Sequence, residues 1–217
     1  MAGCTCYLGL PRPALEEILS ESGCFTLMQA LWHRGGGAWS APSSDERDTL
    51  AAMVEEFGLA QDGSVLVDRY ASLFETLRAR YPQTQSLFAR VNWPHDLLQA
   101  LLTHHLLRQG VPAAARLASA AVRGDIAAEA LGELTCLSEA TVLRIGGGLR
   151  NANPRRLLSA LPALAEQTPF RRLGTSPKET REYLGAVAND LDVRCELEEL
   201  VLLYARASEL SHLVLIG

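Results

Sequence analysis

The sequence predicts an all-α protein, an irregular multi-helix bundle or degenerate helical repeat of about nine to ten helices. Three observations carry that expectation. Leucine and alanine account for 38 and 30 of the 217 residues, and both favour helix. Aromatic residues are only 6% of the chain, and the β-branched types that suit strands are also scarce. Prolines and glycines recur as starts and stops around apolar stretches whose spacing is helical rather than alternating.

Taken in order, Pro13 precedes the short apolar segment LEEIL, which Gly23 closes, and CFTLMQALWHR then runs to Gly35-Gly36-Gly37. Ser44 is expected to cap a helix reaching about Phe57, because Asp45 and Glu46 follow on its first turn and suit the positive end of the helix. Asp62-Gly63 makes a turn. From Ser64 the spacing of Leu66, Tyr70, Leu73, Phe74, Leu77 and Tyr81 is helical up to Pro82. Asn92-Trp93-Pro94 opens the most apolar helix, DLLQALLTHHLLRQ, and Gly110 stops it. Pro112 and Gly124 bracket the next one. Asn153-Pro154 opens another, whose inner Pro162 predicts a kink or break. Ser176-Pro177-Lys178-Glu179 is a capping box with proline at the first helical position. No segment alternates long enough to build a sheet, although HLVLI at the end could form one short strand.

At this length a single core is the simplest organisation, so residues 1–217 are read as one helical domain. Acidic N-terminal helices, 1–91, and a C-terminal helical part, 92–217, form its natural sub-division. Five cysteines (Cys4, Cys6, Cys24, Cys136, Cys195) are an odd number, and no basic-then-apolar leader precedes them. These features predict reduced thiols in the cytoplasm, or in the nucleus of a eukaryotic cell, rather than a secreted protein. Apolar runs fall short of the roughly 18 residues that a membrane span requires.

The net charge of −5 conceals a partition. Residues 1–75 carry −7, 76–140 carry +1, 141–181 carry +6 and 182–217 carry −5. The basic island consists of Arg144, Arg150, Arg155, Arg156, Arg171, Arg172, Lys178 and Arg181. Clustered arginine meets phosphates or an acidic partner surface; the alternative is that the island pairs internally with the acidic ends.

Ahead of the island, Gly132, Leu137, Ser138, Thr141, Val142 and Ile145 lie within ALGELTCLSEATVLRI. Their offsets resemble the helix-turn-helix of bacterial transcription regulators, with Cys136 where glycine is usual. The resemblance implies Glu139, Ala140, Leu143 and Arg144 facing a major groove. Gly146-Gly147-Gly148, between Arg144 and Arg150, reads as a phosphate-cradling loop or as a hinge that ends the preceding helix. The phosphate-loop spacings of nucleotide-binding proteins are absent.

No nucleophile setting or zinc-binding pair is present, and Cys4-Thr5-Cys6 stands alone. His104 and His105 are adjacent, so they diverge by about 100° on a helix and do not simply share a site. SLFETLRARYPQTQSLF, from Ser72, has the rhythm of early globin helices, but after His105 only His212 remains as a haem ligand. The carboxylate pairs Glu16-Glu17, Glu55-Glu56 and Glu198-Glu199 are consecutive and suit solvated faces.

The expectation is therefore a non-catalytic interaction protein, an adaptor or regulator binding another protein through an acidic surface or a helix groove, with no cofactor and no metal. A nucleic-acid-binding regulator using residues 130–156 is the alternative, and a helical enzyme with a non-local site is third. Trp39, Trp93 and the terminal LVLIG are the apolar groups expected to face a partner if the core does not bury them.

Overall fold

The computed structural model describes residues 5–33, 42–56, 58, 60–126, 131–132, 134–166 and 176–217. It is mostly α, 69% helical, with ten helices among the described residues and a small four-stranded sheet. The multi-helix expectation holds; the sheet is an addition to it. The chain divides into two compact units, Leu10–Phe88 and a larger one built from residues 1–9 with 89–217.

In the smaller unit, α1 (Arg12–Ser20), α2 (Cys24–His33), α3 (Ser44–Glu56) and α4 (Gly63–Arg80) are followed by a 3-10 turn at Pro82–Ser86. Ser43, not Ser44, occupies the capping position of α3. Its backbone N–H and hydroxyl both donate to Glu46 Oε2, at 2.8 and 2.7 Å. Asp62 caps α4 by accepting from Val65 N–H at 3.1 Å. A Cβ at Gly63 would lie 2.0 Å from the Ala51 carbonyl oxygen, so glycine is what lets α3 and α4 meet there. Tyr70 stacks on Phe74 with ring centroids 4.3 Å apart, among buried Leu66, Val67 and Leu77.

The larger unit holds the sheet, formed by β1 (Thr5–Leu10), β2 (Phe88–Val91), β3 (Thr135–Leu137) and β4 (Leu213–Ile216) in the order β2-β1-β4-β3. β3 and β4 are antiparallel, with Thr135 opposite Ile216 and Leu137 opposite Val214. Cys6 and Gly217 exchange both backbone bonds, at 2.7 and 3.1 Å, the reciprocal pattern of an antiparallel pair. Every residue of β1 and β4 is buried, so the apolar LVLI end is buried within the protein's own fold. Strands covered on both faces show no alternation. Their lengths of 3–6 residues also offer little pattern to read.

Around the sheet lie α5 (His95–Arg108), α6 (Ala114–Arg123), α7 (Glu139–Leu149), α8 (Pro154–Leu158), α9 (Pro177–Asn189) and α10 (Leu191–Glu209). After α8 the chain breaks into a 3-10 turn, Leu161–Leu164, containing Pro162. α5 packs on α6 and α7 on α10, and their Leu/Ala faces form one apolar cluster with Tyr7, Trp93 and Tyr204. Trp93 is 4% exposed and so is a core residue rather than a partner-facing one; Trp39 lies outside the described residues.

Candidate anion-binding face

The three consecutive glycines do not end α7. The helix runs through them to Leu149, which removes both the hinge and the phosphate-loop readings. Helical glycine costs about 1 kcal/mol relative to alanine, so three in a row need a compensating reason. Two of them supply close approach. A Cβ at Gly146 would sit 2.4 Å from the Tyr204 carbonyl oxygen and 2.4 Å from Ser208 Cβ on α10. A Cβ at Gly148 would sit 2.4 Å from Leu106 Cδ2 on α5. A Cβ at Gly147 would meet no atom of the described residues within 4 Å beyond its own helix. α7 is thus gripped between α5 and α10 along its glycine-bearing end, and the loop that follows it is held beside the end of α5.

The helix-turn-helix resemblance meets a different local structure. Thr135–Leu137, where its turn would fall, is strand β3 paired to β4. Residues 127–130 and 133 lie outside the described residues. The second helix of the pattern is present as α7, capped by Ser138 Oγ accepting from Thr141 N–H at 3.3 Å. Val142 and Ile145 are buried, whereas Leu143 is 58% exposed and Arg144 is exposed.

Six of the eight residues of the basic island are among those described. Arg171 and Arg172 lie outside the described residues. Arg144 donates to the Pro112 carbonyl at 3.2 Å, Arg181 pairs with Glu166 at 3.2 Å, and Lys178 lies 4.0 Å from Glu182. Arg150, Arg155 and Arg156 are exposed. Among the described residues these three make no ion pair.

Arg155 and Arg156 are neighbours on the five-residue helix α8, which starts where Asn153 Oδ1 accepts from Arg156 N–H at 3.2 Å. Consecutive helical residues diverge by about 100°, so the two arginines line different hollows. Arg155 faces one of about 550 Å³, with Arg194, Ser159, Asn189 and Asp190. That hollow is mixed in charge, since Asp190 Oδ1, which caps α10 by accepting from Asp192 and Val193 N–H at 2.8 and 3.2 Å, lines it too. Arg156 faces a hollow of about 270 Å³ with His104, His105, Arg108, Asn151 and Asn153. Among the described residues no carboxylate lines it.

The two adjacent histidines, expected to diverge, therefore border the same hollow. His105 Nε2 lies 3.1 Å from the Gly148 carbonyl oxygen, so it must carry the proton and donate. Burial pushes the His105 pKa below its ordinary value, and neighbouring His104 and Arg108 reinforce this against the opposing bond to Gly148. Arg108, Arg194 and both histidines were not part of the predicted site. His104 and His105 stand out in the sequence only as an adjacent pair; what brings Asn151, Asn153 and Arg156 to them is the packing of α8 beside α5.

No protein-family model, curated protein or solved structure matches the chain. Among the described residues no group of three or more histidine, cysteine, aspartate or glutamate side chains is placed to hold a metal ion, and no helix is long and apolar enough to cross a membrane.

Proposed function

We infer that this chain is a non-catalytic interaction protein, a helical adaptor or regulator that binds an acidic surface of a protein partner through cationic side chains of its larger unit. The observation that supports this most directly is the state of Arg150, Arg155 and Arg156. All three are exposed, and among the described residues none is neutralised by an ion pair. An unpaired guanidinium keeps its planar fork of five donors for an incoming carboxylate. Such contacts speed and orient encounter and weaken as salt screens them.

The test is affinity purification of the full chain from cells of its source, beside the Arg150→Glu/Arg155→Glu double variant. A protein partner at fixed stoichiometry, released as salt rises and lost from the variant, is the expected result. A partner indifferent to both salt and charge reversal, or no partner at all, would refute the reading. Nuclease-sensitive nucleic acid recovered in its place would transfer the interaction to the alternative class.

A further inference from the structure

The hollow beside Arg156 lies between the C-terminal end of α5 and the junction of α7 with α8, and four cationic or imidazole side chains meet there. We propose that it binds a phosphate dianion, either free inorganic phosphate or the terminal phosphate of a small phosphomonoester. This goes beyond the partner reading and shares Arg156 with it, but the partner test alters only Arg150 and Arg155, so the two readings can fail separately.

The donors suit that ligand. Arg108 and Arg156 are exposed at the rim, and among the described residues neither guanidinium is engaged in an ion pair. Arginine meets phosphate oxygens with two parallel N–H bonds. Asn153 spends its Oδ1 on the Arg156 N–H, which leaves both of its amide hydrogens as donors. Asn151 and His104 add further polar groups. Leu157 and Ala160 supply an apolar wall, and about 270 Å³ is roughly nine times the volume of one water in the liquid. That is enough for a phosphate and the first atoms of an ester group.

Two features that would favour a cation instead are neutralised. The end of a helix such as α5 exposes carbonyl oxygens and a negative partial charge. Here the carbonyls of His105, Leu106 and Leu107 accept from Gln109, Val111 and Gly110 at 3.0, 2.9 and 3.0 Å. The aspartate of α5, Asp96, is at the other end of that helix and is paired with Arg123 at 2.9 Å. Twelve residues of rise put it roughly 18 Å from Arg108, about two screening lengths at physiological salt.

His105 holds the hollow in shape rather than supplying charge. Its donated bond to the Gly148 carbonyl ties the end of α5 to α7. Gly148 in turn is small enough to let Leu106 lie against it.

Isothermal titration of the full chain with inorganic phosphate and, separately, methyl phosphate tests the site, at constant ionic strength with chloride and acetate as controls. Expected is saturable one-to-one phosphate binding that weakens by about tenfold or more in Arg108→Gln and in Arg156→Gln, and is unchanged in Arg150→Gln. Methyl phosphate binding more tightly than phosphate assigns the ester as ligand; the reverse order assigns the free ion. If either glutamine variant loses its helical circular dichroism, Arg108→Lys and Arg156→Lys replace them, with a smaller loss expected because the charge remains but the fork does not. Phosphate heats indistinguishable from those of acetate, or full affinity in both arginine variants, would overturn the proposal.

Discussion

Replacing each of the three glycines of α7 by alanine separates two forces that oppose each other in that helix. Alanine gains helix propensity worth about 1 kcal/mol at each position. At Gly147, where a Cβ meets no atom of the described residues within 4 Å, that gain is what changes, so Gly147→Ala stabilises by about 0.5–1 kcal/mol. At Gly146 the new Cβ would lie 2.4 Å from a backbone carbonyl oxygen of α10, against an ordinary contact of 3.4 Å or more. α7 and α10 must then part by about 1 Å, and overpacking of this kind costs about 1–3 kcal/mol. At Gly148 the clash is with the far end of a leucine side chain, which can turn aside. The expected order of stability is therefore Gly147→Ala, then Gly148→Ala, then Gly146→Ala. Because the propensity term is common, the first and last should differ by about 1–3 kcal/mol. A chain with two compact units need not unfold in one step. The assay is therefore amide hydrogen exchange read on peptides from α7 and α10, with melting temperature alongside, where each kcal/mol moves the midpoint by about 2–4 °C. Equal protection in Gly146→Ala and Gly147→Ala would refute the argument that these glycines are there for helix contact.

Two further predictions concern buried polar groups. Tyr204 donates to the Ala121 carbonyl at 2.7 Å, one of the carbonyls left over at the end of α6, because Asp125 N–H turns instead to Cys136 O at 3.2 Å. Tyr204→Phe should therefore cost about 1–3 kcal/mol in denaturant unfolding. The Tyr7 hydroxyl, on the ring that meets Tyr204 edge-on at 6.3 Å, is buried with no hydrogen-bond partner among the described residues. Tyr7→Phe should be neutral or stabilising, and equal losses in both variants would sink this account. For pH, burial is the leading cause that lowers the pKa of His95, His105 and His212 below the ordinary 6.5. The unfolded chain then binds more protons than the folded one below that value, so stability is complete above it and is lost as pH falls through the folded values. Glu46 and Asp62 of the smaller unit are lowered from 4.5 and 3.8 by hydrogen bonds from Ser43 and Ser64, and their loss comes only at more acid pH. Between about pH 7 and pH 5 these three histidines should weaken the larger unit, and His212→Leu should reduce that slope; a larger unit that gains stability on acidification there would contradict the sign.

The helices were legible because each is punctuated locally. Asn153, Ser176, Gly110, Gly124 and Pro162 mark boundaries by what their own backbones and side chains permit, and no distant residue is needed to interpret them. The one-residue error at Ser43 and Ser44 has the same origin: either serine can cap, and only the reach of Glu46 back to Ser43 decides between them. Within the sheet only the closing HLVLI reads as a strand from sequence, and it is β4; the pairing that makes the sheet fails that test. β1 and β4 lie at opposite ends of the chain, each is too short and too buried to alternate, and what makes them strands is the pairing itself. The glycines of α7 show the opposite limit. A run of three reads as a break because propensity is a local quantity, whereas the reason for the run is an α10 carbonyl and an α5 leucine reached only after folding.

Charge summed along the chain counts residues by sequence neighbourhood, and the fold recounts them by distance. Arg144, Lys178 and Arg181 belong to the island in sequence, yet each has a carbonyl or carboxylate within 4.0 Å. Arg108 comes from a stretch that is nearly neutral, but it lines the same hollow as Arg156, where no carboxylate of the described residues answers either of them. Short-range neutralisation outweighs the long-range sum because unit charges at contact interact several times more strongly than charges beyond a screening length. Among the described residues, the positive charge available to a ligand therefore includes Arg108 with Arg156, where α5, α7 and α8 converge, beside Arg150 and Arg155. That convergence depends on the glycine-bearing end of α7 and on the His105 bond to Gly148, so the packing of the larger unit and its candidate site have the same structural cause.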